Sequence, residues 1–155
     1  MSSQILETPI GLLYLSATDE ALTECRRLLT PDPTLAISPN AMTQQAAAQL
    51  REYFSGTRKE FTIRLAPKGT PFQQSVWSEL LRVGFGRKTE YGILAQRLQN
   101  PRACRAVGGA VGKNPLLIFI PCHRVLAGSG RLGGFSAGLD AKKYLLRMEN
   151  ISWMA

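Results

Sequence analysis

Apolar and polar positions change rhythm several times along the chain. Between residues 4 and 18, an apolar stretch from Ile10 to Leu15 is interrupted at Pro9 and Gly11 and closes at Thr18-Asp19-Glu20, which predicts a strand or hairpin. Residues 21–29 predict a second strand, and Thr30-Pro31-Asp32-Pro33 a turn. From Asn40 to Phe54 the period lengthens. The segment is rich in Ala and Gln, starts after Pro39 with Asn40 as N-cap, sets Leu50 and Phe54 four residues apart, and stops at Ser55-Gly56, so it predicts a helix. Phe61 to Leu65 alternates and predicts a further strand.

Lys68-Gly69-Thr70 marks the boundary of a second unit, which divides the chain into domains at 1–67 and 68–155. Thr70-Pro71-Phe72-Gln73 has the form of a capping box with proline at the first helical position. Val76, Leu80 and Val83 carry a helical stripe to Gly84. Tyr91–Leu98 predicts a short helix, Asn100-Pro101 breaks it, and Arg102–Val111 predicts the next, stopped by residues 112–115. Two short helices about a tight break outline a helix-turn-helix. The second of them, Arg102 to Ala110, carries Ala and Gly where a base-reading helix carries Asn, Gln and Arg. Small residues suit close packing in a core or a close approach to the minor groove, and the segment alone does not choose between them. Leu116–Ile120 predicts a buried strand or extended segment, and Asp140–Asn150 a final helix.

Composition narrows the class. The 155 residues are 45% apolar, enough for a core, and no apolar run approaches the ~18 residues of a membrane span. The N-terminus lacks the pattern of a secretory signal. Three cysteines, Cys25, Cys104 and Cys122, fit no disulfide framework and point to a reducing compartment, so a cytoplasmic place is expected. Nineteen Lys and Arg against eleven Asp and Glu leave a net charge of +8, which suits a polyanionic partner such as nucleic acid.

The candidate chemistry sits in Ile118-Phe119-Ile120-Pro121-Cys122-His123-Arg124-Val125, where a cysteine adjoins the one histidine of the chain. A thiolate is a strong nucleophile, and imidazole is the side chain best suited to generate it near neutral pH. On an extended segment the two side chains point to opposite sides, which favours a bridging water over a direct bond. The thiol pKa, about 8.5 when free, would have to be lowered by the imidazole or a helix N-terminus.

Residues 69–149 resemble the active-site domain of the O6-alkylguanine-DNA alkyltransferases, the methylated-DNA–protein-cysteine methyltransferases. The matching segments are Gly69-Thr70-Pro71-Phe72-Gln73 with Val76-Trp77, Tyr91, residues 105–110, Asn114-Pro115, residues 120–125, residues 134–139, Lys142, Leu145-Leu146 and Glu149. Residues 8–11 and 50–54 match more loosely. The resemblance implies an α/β (α+β) fold: a small N-terminal sheet-plus-helix domain like ribonuclease H, then a mostly helical domain with a winged helix-turn-helix-like unit. It implies a single-turnover, irreversible transfer of methyl or alkyl groups from O6-alkylguanine, and from O4-alkylthymine, to the protein's own cysteine after base flipping through the minor groove. By the same resemblance Cys122 is the acceptor, His123 takes its proton through water, Glu149 holds the imidazole, Tyr91 turns the 3′ phosphate and donates a proton, and Asn114 is a hinge. Arg105 fills the gap left by the flipped base. Cys104, Ala106 and Gly108 face the minor groove, with Tyr91 and Thr89 also on the DNA. Val125, Leu132, Gly133, Phe135 and Ser136 line the base pocket. Arg124 is expected to be structural or phosphate-contacting. No cofactor is expected, and the partner is double-stranded DNA bound by a monomer, singly or side by side with other copies.

Four features depart from the family pattern. Thr18 and Thr23 stand where some relatives hold zinc ligands, so no metal is expected. Phe135 replaces a common tyrosine. Cys104 stands where alanine is more common. Residues 86–90 form a charged loop in which Arg87 and Lys88 would attract phosphate. The alternatives are a lesion sensor that does not transfer, a helix-turn-helix regulator and a cysteine hydrolase. The first lacks the acceptor cysteine that is present here, the second needs donors that the Ala/Gly helix lacks, and the third would turn over.

Overall fold

The computed structural model describes residues 1–155 and divides into two compact units. The first comprises Met1–Lys68 and Pro115–Phe119. Its β1 (Ser2–Thr8), β2 (Gly11–Ala17) and β3 (Leu22–Leu28) form an antiparallel meander in the order β1-β2-β3. The β1–β2 turn closes because Thr8 Oγ1 accepts from Ile10 N and donates to Gly11 O, and Gly11 takes φ +100°. Helix α1 (Ala41–Phe54) packs Ala46, Ala47, Leu50 and Tyr53 against the sheet. Its capping box pairs Asn40 with Thr43 rather than with a Glu or Gln.

Phe61–Leu65 is not a strand. One rung ties it to β3, with Leu22 N donating to Arg64 O and Ala66 N to Leu22 O. The next positions of that edge bind residues 115–117 instead, through Cys25 N to Pro115 O and Leu117 N to Cys25 O. Two single-rung partners share the edge of β3, so neither extends into a ladder. The Leu116–Ile120 run is buried and extended only in part. Ile118 takes φ +73° in a tight turn in which Phe119 N donates to Leu117 O, a conformation that disfavours a β-branched residue.

The second unit comprises Gly69–Asn114 and Ile120–Ala155. It holds α2 (Pro71–Leu80), the short strands β4 (Thr89–Glu90) and β5 (Val125–Leu126), and helices α3 (Tyr91–Arg97), α4 (Cys104–Gly112) and α5 (Leu139–Met148). Thr70 and Gln73 form the capping box that opens α2. A Cβ on Gly69 would lie 2.4 Å from the Trp77 ring, so the backbone can approach there only without a side chain. Trp77 is buried and donates from Nε1 to Ala110 O, which ties α2 to α4.

Helix α3 ends in a Schellman motif. Gln99 at φ +59° donates to Gln96 O, and Asn100 N donates to Ala95 O. Helix α5 ends the same way: Asn150 at φ +60° donates to Arg147 O, Ile151 N donates to Leu146 O, and Ile151 packs on Leu146. This cap leaves Glu149 at a fixed place at the helix terminus.

Charge divides with the fold. Seven basic residues balance seven acidic ones in the first unit. In the second, twelve basic residues against four acidic carry the whole excess of +8. Any attraction for a polyanion therefore belongs to the second unit.

Candidate active site

The parallel pairing of β4 with β5, Thr89 opposite Val125 and Glu90 opposite Leu126, sets the start of α3 beside the segment that carries Cys122. That segment is not extended. Cys122–Arg124 forms a single 3-10 turn after Pro121, with Cys122 N donating to Ile120 O and Arg124 N to Pro121 O. Successive side chains on such a turn point about 120° apart, so Cys122 and His123 diverge without lying on opposite faces.

Glu149 is the hub beneath the turn. Its Oε2 lies 2.6 Å from His123 Nε2 and accepts from Arg124 Nη2 at 3.1 Å. Its Oε1 accepts from Arg124 Nε at 2.7 Å and from Gly86 N at 3.1 Å. Arg124 also donates from Nη1 to Val83 O at 2.6 Å, so it is structural, as the sequence suggested. Burial alone would raise the Glu149 carboxyl, but His123 and Arg124 outweigh it and hold the pKa at about 2. Burial pushes the imidazole below its ordinary value, against the opposing pull of Glu149. His123 is therefore neutral at pH 7. Facing an ionised carboxylate, its Nε2 carries the hydrogen and donates it, which leaves Nδ1 as a bare lone pair. That atom is buried and has no protein partner.

The thiol behaves against expectation. Burial pushes Cys122 up to about 11, although Asn114, Lys142 and the backbone amides of Cys122 and His123 all favour the thiolate. The resting group at pH 7 is therefore a protonated thiol. The sequence predicts a lowered pKa because it shows the neighbours and not the burial. Asn114 is anchored by donating from Nδ2 to Ile120 O at 2.8 Å.

Lys142 completes the polar network. It is fully buried and donates from Nζ to Val125 O at 2.7 Å and to Gly134 O at 3.0 Å. Burial lowers its amine to about 8, and Cys122 opposes that shift. The ammonium also lies 5.9 Å from the centre of the Phe135 ring.

A cavity of about 200 Å³ opens between α4 and the loop before α5, lined by Tyr91, Gly108, Val111, Gly112, Gly134, Phe135 and Ser136. The Tyr91 ring fills the space in front of Gly108 and Gly133, where added Cβ atoms would meet it at 3.8 and 3.7 Å. Burial, and then the charge of Cys122, raise the Tyr91 pKa, so its hydroxyl stays protonated.

Among the expected pocket residues, Phe135 and Ser136 line this cavity. Leu132 instead packs on Leu126, Leu146 and Ile151. Val125 is wholly buried and contributes its carbonyl to Lys142. Gly133, at φ +70°, turns the loop against Ala127 and the Tyr91 ring. Thr89 is 7% exposed in β4, where it lines a concavity with Arg87 and Lys88.

Helix α4 has a packed and an exposed face, and Gly108 is half-buried beside the Tyr91 ring. Val107, Ala110 and Val111 are buried against the neighbouring helices, while Cys104, Arg105, Ala106 and Gly109 are exposed. Thr18 and Thr23, which stand where zinc ligands might be sought, are engaged with backbone groups of the hairpin between β2 and β3.

Comparison with known proteins places this architecture. A family model described as "6-O-methylguanine DNA methyltransferase, DNA binding domain" matches residues 71–151, and one described as "6-O-methylguanine DNA methyltransferase, ribonuclease-like domain" matches residues 1–67. The methylated-DNA–protein-cysteine methyltransferase of Methanosarcina acetivorans is 39% identical over 94% of this chain and 96% of its own length. The enzyme of that name from Haemophilus influenzae is 39% identical over 95% of this chain and 85% of its own. The Mycobacterium tuberculosis protein OGT, solved in complex with DNA, superposes with a TM-score of 0.87 at 39% identity, over 96% of this chain and 92% of its own. Fold and site together define a two-unit α/β protein with a buried free thiol beside a His–Glu–Arg network. The chain belongs to the 6-O-methylguanine DNA methyltransferase family.

Proposed function

We propose that the protein repairs double-stranded DNA by moving the alkyl group of O6-alkylguanine, and of O4-alkylthymine, onto Sγ of Cys122 in one irreversible turnover. The observation that carries this reading is a buried Cys122 thiol adjoining His123, whose Nε2 meets Glu149 while its buried Nδ1 has no protein partner. A thiol with so high a pKa cannot wait as a thiolate, so proton removal and attack belong to one event. His123 Nδ1 takes the thiol proton through a water, and Glu149 stabilises the resulting imidazolium. Sulfur bonds to the alkyl carbon as the carbon–O6 bond breaks, and its electron pair goes to the base. Tyr91 gives the base a proton, so neutral guanine leaves. Lys142 and Asn114 act as positioning groups that favour negative charge on sulfur.

The base reaches the thiol by leaving the stack, with exposed Arg105 filling the gap and Ala106 and Gly109 permitting close approach in the minor groove. The S–alkyl bond of the resulting thioether is inert, because its cleavage would have to expel a thiolate from an unactivated alkyl carbon, which makes the acceptor single-use. No helix is long and apolar enough to cross a membrane. We place the protein, as a monomer, with the DNA it repairs: in the cytoplasm and nucleoid of a prokaryote, or the nucleus of a eukaryote. Incubation with DNA carrying labelled O6-methylguanine is expected to leave one label per protein, on Cys122. Recovery of label elsewhere, or none on freshly reduced protein, would overturn the proposal.

Methylation adds a carbon to a site that is 3% exposed, and overpacking costs about 1–3 kcal/mol. At about 2–4 °C per kcal/mol for a chain of this size, the methylated protein is expected to melt several degrees below the free form by calorimetry. An equal or higher Tm would contradict this.

A further inference from the structure

A second concavity lies in the same unit, apart from the cavity beside Tyr91. It measures about 480 Å³ and is lined by the end of α2 (Glu79, Arg82, Val83), the loop with Arg87 and Lys88, and α3 with Ile93 and Arg97. Four cations surround it and one carboxylate lines it. That carboxylate, Glu79, reaches only the exposed Arg82, at 3.7 Å. Lys88 is steadied by donating to Ser152 O at 3.2 Å, which orders the rim without neutralising it. The floor of Val83, Ile93 and Leu94 is apolar.

We propose that this groove binds the sugar–phosphate backbone of the duplex flanking the lesion, as a contact additional to that of α4. Three observations favour a polymer backbone over a single small anion. The space is far larger than one phosphate needs, the cations ring it, and an apolar floor suits deoxyribose. Placement agrees: α3 is the first helix of the helix-turn-helix, the element that crosses the backbone when the second helix lies in a groove. The loop with Arg87 and Lys88 runs through β4 straight into Tyr91, which lines the first cavity.

The inference rests on DNA being the substrate, and the test separates the two. Binding of an undamaged duplex is measured against salt for wild type, for the double variant Arg87→Gln/Arg97→Gln, and for the control Arg51→Gln/Arg64→Gln. The control removes the same charge from exposed positions of the neutral unit. Each lost phosphate contact lowers the slope of log affinity against log salt by about 0.9, so the groove variant is expected to lose about 2 and the control close to none. Equal slopes for the two variants, or a groove variant that matches wild type, would overturn the inference. Transfer to Cys122 from free O6-methylguanine base, measured on wild-type protein, reports the alkyl chemistry separately. Its failure would count against the proposed function while the slopes still decide the groove.

Discussion

Replacement of Cys122 by Ser is expected to abolish alkyl transfer while leaving DNA binding close to wild type. The reaction needs a polarisable nucleophile that can be deprotonated by His123 within the attack itself. A hydroxyl at this place is several pKa units harder to ionise than a thiol that already stands at about 11. Loss of a nucleophile costs on the order of 10⁴-fold or more, so single-turnover transfer from lesion DNA should fall below detection. Affinity should survive, because the exposed face of α4 and the cationic groove contain no part of Cys122. Serine keeps the side-chain volume and can still pair with Asn114, so the fold is not at stake. Residual transfer within about tenfold of wild type would show that another atom accepts the alkyl group.

The second large effect is expected from Glu149→Gln. The amide cannot answer the guanidinium of Arg124, which is 6% exposed, and it cannot fix Nε2 of His123 as the donor. Stranding a buried charge costs about 3–5 kcal/mol, so the urea midpoint should fall sharply, and transfer should fall with the lost tautomer. The pH dependence carries a signature of its own. Glu149 titrates at about 2 in the folded protein against 4.5 when exposed, so its contribution is complete above pH 4.5 and is lost as the pH falls from 4.5 towards 2. His123 is also depressed. Below pH 6.5 the unfolded chain takes up a proton that the folded chain refuses, so stability begins to decline there. Wild type should therefore weaken in two stages on acidification, and Glu149→Gln should lack the lower one. Parallel wild-type and variant curves below pH 4.5 would show that the carboxylate is not the titrating group.

Local signals in the sequence match the structure where the physics is local. Asn40, and Thr70 with Gln73, mark helix starts because a cap is satisfied within four residues. The break at Asn100-Pro101 lies between two helices because the backbone itself turns there, although Gln99, which carries the positive φ, gives no sign of it. Phe61–Leu65 alternates like a strand yet has one rung, since its partner edge is shared with residues 115–117, some fifty positions away. Cys122, His123 and Glu149 stand out in the sequence as motif residues, and the structure brings His123 and Glu149 into contact. The network that serves them is less legible. Lys142 and Arg124 are long cations of the kind that normally lie at the surface, and only the fold shows both to be buried. The raised pKa of Cys122 is likewise a property of what encloses it.

The hydrogen bond from Gly86 N to Glu149 has a consequence beyond stability. The carboxylate that holds the His123 ring also anchors the loop whose next two residues, Arg87 and Lys88, line the cationic groove. Under the proposed function, grip and chemistry are indexed to the same two oxygen atoms. A duplex seated out of register would pull on the reference point of the imidazole, so faulty docking would register as a slower reaction before it registered as weaker binding. The protein would in that way spend its single acceptor on a correctly seated lesion.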